Sequence, residues 1–435
     1  MLSRRGFIKG SGLTLVGVGL AGGIPAFAMK TAFAEKKSRP YKKTKNLVCI
    51  FQRGAMDGLM AVTPFTDPYL QTARPDLFMS AAANTQNNHA PLIDLDGRFG
   101  MHPMLKSFES FYREGSLAIV HGIGSPNNTR SHFDAQDYME SGTPFNKGTA
   151  SGWLNRAAGL MAHDHISPFQ AVSLTSALPR SFYGDTPCIA IANLQDFTLQ
   201  LRGNPMSVHS AAASFEELYD QTTPGLLRQT GRESFDALKL LKQSDIKNYQ
   251  PDYQAVYPST ALGNALKQIA QLIKMDVGLE VAFAEHGGWD THFNQGTATG
   301  TFARNAADLS NSIAAFWIDL SSYQDDVTVM TMTEFGRTVH QNGTGGTDHG
   351  RASCNFILGN RVAGGKVYGN IKPLTIDNLE DGRDLPVTTD FRSVFSEVAD
   401  LHLGIHNDRI LFPDWTGTTI GVMKTKYPSF RSGIF

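Results

Sequence analysis

The sequence predicts an α/β protein, a doubly wound and mostly parallel sheet with helices on both faces. Three observations carry that prediction. Asn46-Leu47-Val48-Cys49-Ile50-Phe51 and Leu117-Ala118-Ile119-Val120 are short apolar runs without polar alternation, the pattern of strands buried on both faces. Apolar residues recur at helical spacing in three places: Leu262, Ala265, Leu266, Ile269, Leu272 and Ile273; Phe302, Ala306, Leu309, Ile313, Phe316, Trp317 and Leu320; and Phe391, Val394, Phe395 and Val398, the last stripe ended by Gly404. Strand 279–285, helix 302–320 and strand 327–333 then follow one another as a right-handed βαβ unit.

From the start of the chain, residues 1–34 read as a twin-arginine signal peptide and stand outside the fold. Ser3-Arg4-Arg5-Gly6-Phe7-Ile8-Lys9 precedes a glycine-rich, weakly apolar run, and cleavage is expected after Ala28 or Ala34. That run is too short and too rich in glycine to span a bilayer, so no stable membrane anchor is expected after cleavage. Export by the twin-arginine translocation machinery to the periplasm or the exterior follows, and folded chains that use this route can carry a metal taken up in the cytoplasm. Loss of Arg4, Arg5, Lys9 and Lys30 leaves 35 basic against 40 acidic residues, a net charge of −5, which gives nucleic acid no purchase.

Residues 35–45 form a basic, solvated arm, and residues 46–435 read as a single α/β domain without repeats or linkers. A polar region around 140–250 interrupts the βα rhythm as an insertion or cap, although Gln170–Leu174 and Cys188–Ala192 look like two further strands. Cys49, Cys188 and Cys354 all lie in apolar runs and read as small buried hydrophobes, without disulfides.

The chemistry is concentrated in Thr331–Gly350, which carries Glu334, Arg337, Asp348 and His349, and in His286–His292, which carries Asp290 and His292. The spacing predicts that the two segments leave neighbouring parallel strands and share a cleft. Asp57 follows the first strand, His121 and Ser131 the second, Asp290 and His292 the strand 279–285, and Glu334 the strand 327–333. Ligand-capable residues are thereby sent to the carboxyl-terminal edge, where open parallel sheets bind ligands. Their oxygen and nitrogen donors suit a divalent metal, Zn, Mn, Mg or Ca. Each residue also has a plainer role. Asp57 between glycines is either a ligand or a turn residue. Ser131, heading Ser131-His132-Phe133-Asp134, is either a helix cap or a group beside an anionic ester at a helix N-terminus. His292 and His349 each lie beside an aspartate, in a metal site or a loop hydrogen bond; Arg337 either pairs with Glu334 or binds an oxyanion. His102 reads as a positioned loop residue.

FQRGAMDGL, FGMHPML, NNTRSHFDAQDYMESG, GGWDTHFNQ, TMTEFGRT, GTGGTDHG and TTDFRSVF, in this order across almost the whole chain after the signal, resemble the bacterial domain of unknown function 1501 family. More distantly that family is similar to the alkaline phosphatase and sulfatase superfamily. The resemblance implies an alkaline phosphatase-like fold, divalent metals and a nucleophile at a helix N-terminus, here Ser131; Arg337, as an oxyanion binder, is the other catalytic candidate. It implies metal ligation by Asp57, by Asp290 with His292 or Asn294, by Glu334 and by His349; Asp348, beside His349, is a further candidate ligand. At 335, where the superfamily has a histidine after its carboxylate, this chain has Phe335. Two functions follow as expectations: an exported metal-dependent hydrolase or transferase of a small-molecule or polymer phosphate or sulfate ester, or a non-catalytic exported metal protein with a binding or cell-envelope role.

Overall fold

The computed structural model describes residues 44–82, 90–161, 167–194 and 249–425, with two three-residue strands, Thr14–Val16 and Thr198–Gln200, that pair antiparallel with each other. The rest of the signal segment, and about half of the expected insertion, lie outside the described residues.

A nine-stranded sheet organises the fold. Its strands are β1 (Asn46–Gln52), β2 (Leu117–Gly124), β3 (Ala171–Ser173), β4 (Ile189–Ala190), β5 (Val281–His286), β6 (Val327–Met332), β7 (Ser353–Leu358), β8 (Val367–Tyr368) and β9 (Thr389–Asp390). Across the sheet the order is β8-β2-β7-β6-β1-β5-β3-β4, with β9 also on β2. All ladders are parallel except the two made by β7, which runs against both β6 and β2.

The central strands are apolar on both sides because both sides are covered. Val48 and Ile50 of β1 join one core, with Leu266 and Ile269 of α3 (Ala261–Lys274) and Phe302 and Phe316 of α4 (Thr301–Asp319). Leu47, Cys49 and Phe51 join the other, with Trp153 of α2 (Trp153–Leu160) and Phe391 and Phe395 of α5 (Phe391–Val398). The three helical stripes expected from periodicity are thus α3, α4 and α5, and a left-handed Gly404 (φ 76°) closes the turn that follows α5.

The two chemistry-bearing segments are not on adjacent strands: β5 and β6 flank β1, one on each side. β1 therefore stands between them, and the two segments meet across its carboxyl end. The three thiols are free and buried, and burial pushes the Cys188 thiol up to about 12. Among the described residues no helix is long and apolar enough to cross a membrane.

Candidate metal centre

Sheet register decides which loops meet. His286 pairs with Gln52 and Met332 with Phe51, so β1, β5 and β6 end level and release loops 53–57, 287–294 and 333–336 side by side. Because β7 runs antiparallel, its first residue, Ser353, lies at this same edge opposite Ile123 of β2. His349 therefore reaches the edge from a segment that precedes a strand. The last arrival is the helix α1 (His132–Ser141), which follows β2.

Three groups converge there. His132 Nε2 lies 3.0 Å from His349 Nε2, His349 Nε2 lies 3.3 Å from Asp290 Oδ1, and His132 Nε2 lies 3.5 Å from Asp290 Oδ2. Ligand atoms of a tetrahedral zinc with bonds of ~2.05 Å stand roughly 3.3 Å apart, so the trio already has the spacing of a first coordination sphere. His292 Nε2 borders it, 2.8 Å from His349 Nε2 and 3.1 Å from Asp290 Oδ1.

The far nitrogen of each ring is committed. His132 Nδ1 donates to Glu334 Oε1 at 2.8 Å, His292 Nδ1 to Asp348 Oδ1 at 2.9 Å, and His349 Nδ1 to the Arg130 carbonyl at 2.9 Å. All three acceptors can only accept, so each neutral ring carries its proton on Nδ1 and turns an Nε2 lone pair toward the others. Three lone pairs and a carboxylate facing one another repel unless protons or a cation come between them. Histidines held at Nδ1 by oxygen acceptors are how metal sites orient their imidazoles.

Electrostatics agree. The Glu334 bond raises the His132 imidazole above its usual range, while burial lowers that of His349 despite its bond to Arg130. Burial opposes the charge on Asp290, but the Arg337 bond, assisted by His292 and His132, holds its carboxyl below the ordinary range. Glu334 is 0% exposed, and donors from His132 and Gln136 outweigh that burial and keep it ionised.

Of the residues expected at the site, Asp290, His292 and His349 come together. Glu334 and Asp348 stand one bond behind, each holding a histidine. Asp57 does not join them: Arg74 donates to both its oxygens at 2.8 and 3.1 Å, Gln295 Nε2 to Oδ2 at 2.7 Å and the Met60 amide to Oδ1 at 3.2 Å. With both oxygens occupied and 1% exposure, it is the cap of the short helix Gly58–Ala61 and half of a buried ion pair. Arg337 pairs with Asp290 at 2.7 Å, not with Glu334, and its other contacts run to Thr347, which makes it a holder of the carboxylate. Ser131 is the exposed N-cap residue of α1, yet its hydroxyl makes no capping bond. His121 lies inside β2, fully buried, on the Val62 carbonyl, and His102 caps its own turn by accepting from Met104.

His132, in sequence only a member of the Ser131–Asp134 capping box, was not among the expected ligands. Phe335, the residue after Glu334, packs on His132 and His349 with ring centroids 4.9 and 5.1 Å apart.

Residues 112–411 match the family described as "Protein of unknown function (DUF1501)", and the chain belongs to that family. No curated protein matches. Among solved structures, the chain is similar to the periplasmic domain of EcEptC from Escherichia coli in complex with Zn, at 9% identity over 74% of each chain with a TM-score of 0.33. It is also similar to the PsFucS1 sulfatase from Pseudoalteromonas sp., at 9% identity over 84% of this chain and 68% of that one with a TM-score of 0.36. A third likeness is to alkaline phosphatase from the Antarctic bacterium TAB5, at 12% identity, 75% and 95% coverage and a TM-score of 0.29.

Proposed function

We propose that the protein is an exported, metal-dependent hydrolase or transferase acting on phosphate or sulfate esters. One observation supports this above the others: His132, His349 and Asp290 present three ligand atoms within 4.8 Å of one another, at the carboxyl edge of the sheet, with His132 the first residue of α1. An imidazole-rich donor set with one carboxylate favours zinc or a neighbouring transition metal over Mg or Ca. When bound, such an ion supplies Lewis acidity to an ester oxygen and an attacking hydroxyl.

The chain supplies the rest. Ser131 immediately precedes His132, and its hydroxyl is not spent on capping, so it is the nucleophile of this reading. The first-turn N–H groups of α1 offer donors to the anionic ester. Glu334 keeps the His132 proton on Nδ1, and Arg337 keeps Asp290 charged and oriented.

Turnover of a panel of phosphate and sulfate mono- and diesters tests the proposal. Ser131→Ala should abolish activity, keep the metal, and change stability by no more than ~0.5 kcal/mol, since no cap bond is lost. An active Ser131→Gly protein would reject the nucleophile. A metal-loaded parent inactive on every ester would favour the second reading, a metal protein without turnover. That reading has its own support: Phe335, 2% exposed, fills the place of a second histidine.

A further inference from the structure

We propose that Asp384 is a positioning residue for this centre, fixing His349 through two arginines; the inference rests on the metal reading above. Asp384 is fully buried and bridges two cations. Its Oδ2 accepts from Arg130 Nε at 2.9 Å and Nη2 at 2.5 Å, and its Oδ1 from Arg383 Nε at 3.1 Å. Each arginine reaches His349 by a different route. The Arg130 carbonyl receives His349 Nδ1–H at 2.9 Å, and Arg383 Nη2 donates to the His349 carbonyl at 2.6 Å.

Ring and backbone of one histidine are thus tied to a single carboxylate. The turn that carries Asp384 is itself closed, Glu380 N bonding to Asp384 O at 2.9 Å and Asp384 N to Glu380 O at 3.0 Å, and Val339 N anchors it by bonding to Arg383 O at 3.0 Å. Arg130 also precedes Ser131 and His132 in sequence, so the clamp sets the start of α1 relative to His349. Without it, the Arg130 side chain keeps, among the described residues, the ion pair to Asp381, a carboxylate 65% exposed and so weakly held. The Arg130 carbonyl then loses its fixed direction, and with it the reason for His349 to hold its proton on Nδ1.

The test uses the full chain and zinc as the probe. Chelator-competition titration should show Asp384→Asn binding Zn²⁺ about 10- to 100-fold more weakly than the parent. Glu380→Gln breaks an ion pair in the same turn, Glu380 to Arg351 at 2.7 Å, without touching either arginine of the clamp, and should bind within about twofold of the parent. Nitrogen-15 spectra of the metal-free protein give a second readout: the parent's His349 should be the Nδ1–H tautomer and that of Asp384→Asn a mixture. If Asp384→Asn does not fold, Arg383→Gln removes one arm and should move both readouts in the same direction. Unchanged affinity and tautomer in Asp384→Asn, or an equal loss in Glu380→Gln, would overturn the inference. A parent that binds no zinc would instead overturn the metal reading, while the tautomer comparison would still decide the role of Asp384.

Discussion

His349 Nε2 has one lone pair and three close neighbours, His132, His292 and Asp290, so hydrogen bonding cannot satisfy them all. His132→Ala and Asp290→Ala should each lose the metal, by elemental analysis of the purified protein. Each should also lose the stabilisation that a ligand of the native state confers, about 2.7 kcal/mol for an ion present at 100 times its Kd. Asp57 behaves oppositely. Arg74→Met strands a carboxylate 1% exposed, and urea unfolding should show a loss of about 3–5 kcal/mol with metal content unchanged. The sequence brought Asp290, His292 and His349 into view because each sits in a polar loop after or before an apolar run. It misplaced Asp57, since an aspartate between glycines says nothing of Arg74 seventeen residues on or Gln295 beyond that. His132 was hidden because a capping box accounted for it locally, and its partners Glu334 and His349 are 202 and 217 residues away.

Strand ends, more than strand interiors, build the centre. Unalternating runs made β1, β2, β5 and β6 legible, because a strand covered on both faces needs apolar residues at every position. Direction is not written in composition, so nothing in Ser353–Leu358 announced that β7 runs backwards, and that reversal is what carries His349 to the site. Loop 53–57 meets loop 287–294 at Gly54, whose φ is 113° and where a Cβ would stand 2.5 Å from the Asp290 amide nitrogen. Gly54→Ala must therefore move either its own backbone or Asp290. It should cost about 1–3 kcal/mol in urea unfolding and weaken zinc binding, whereas full affinity would show that the two loops are not coupled.

Across the whole molecule, acid should act through three buried histidines outside the centre. Burial lowers His102, His121 and His402 from about 6.5 to about 4, against backbone bonds to Thr297, Val62 and Asn46. Folded, they stay neutral where the unfolded chain takes up protons, so their contribution is complete above pH ~6.5 and falls as pH drops toward ~4. Each contributes about 1.4 kcal/mol per pH unit inside that window. Stability of His402→Gln should fall less steeply than that of the parent between pH 6.5 and 4.5, by about that amount per unit; parallel curves would refute the assignment. The central claim, that the carboxyl edge of this sheet is a metal centre, is tested most directly by anomalous X-ray scattering at the zinc edge from crystals of the purified protein. A peak is expected about 2 Å from His132 Nε2, His349 Nε2 and an Asp290 oxygen. A fully metallated protein with its peak elsewhere, or crystals grown with zinc and showing no peak among these three residues, would contradict it.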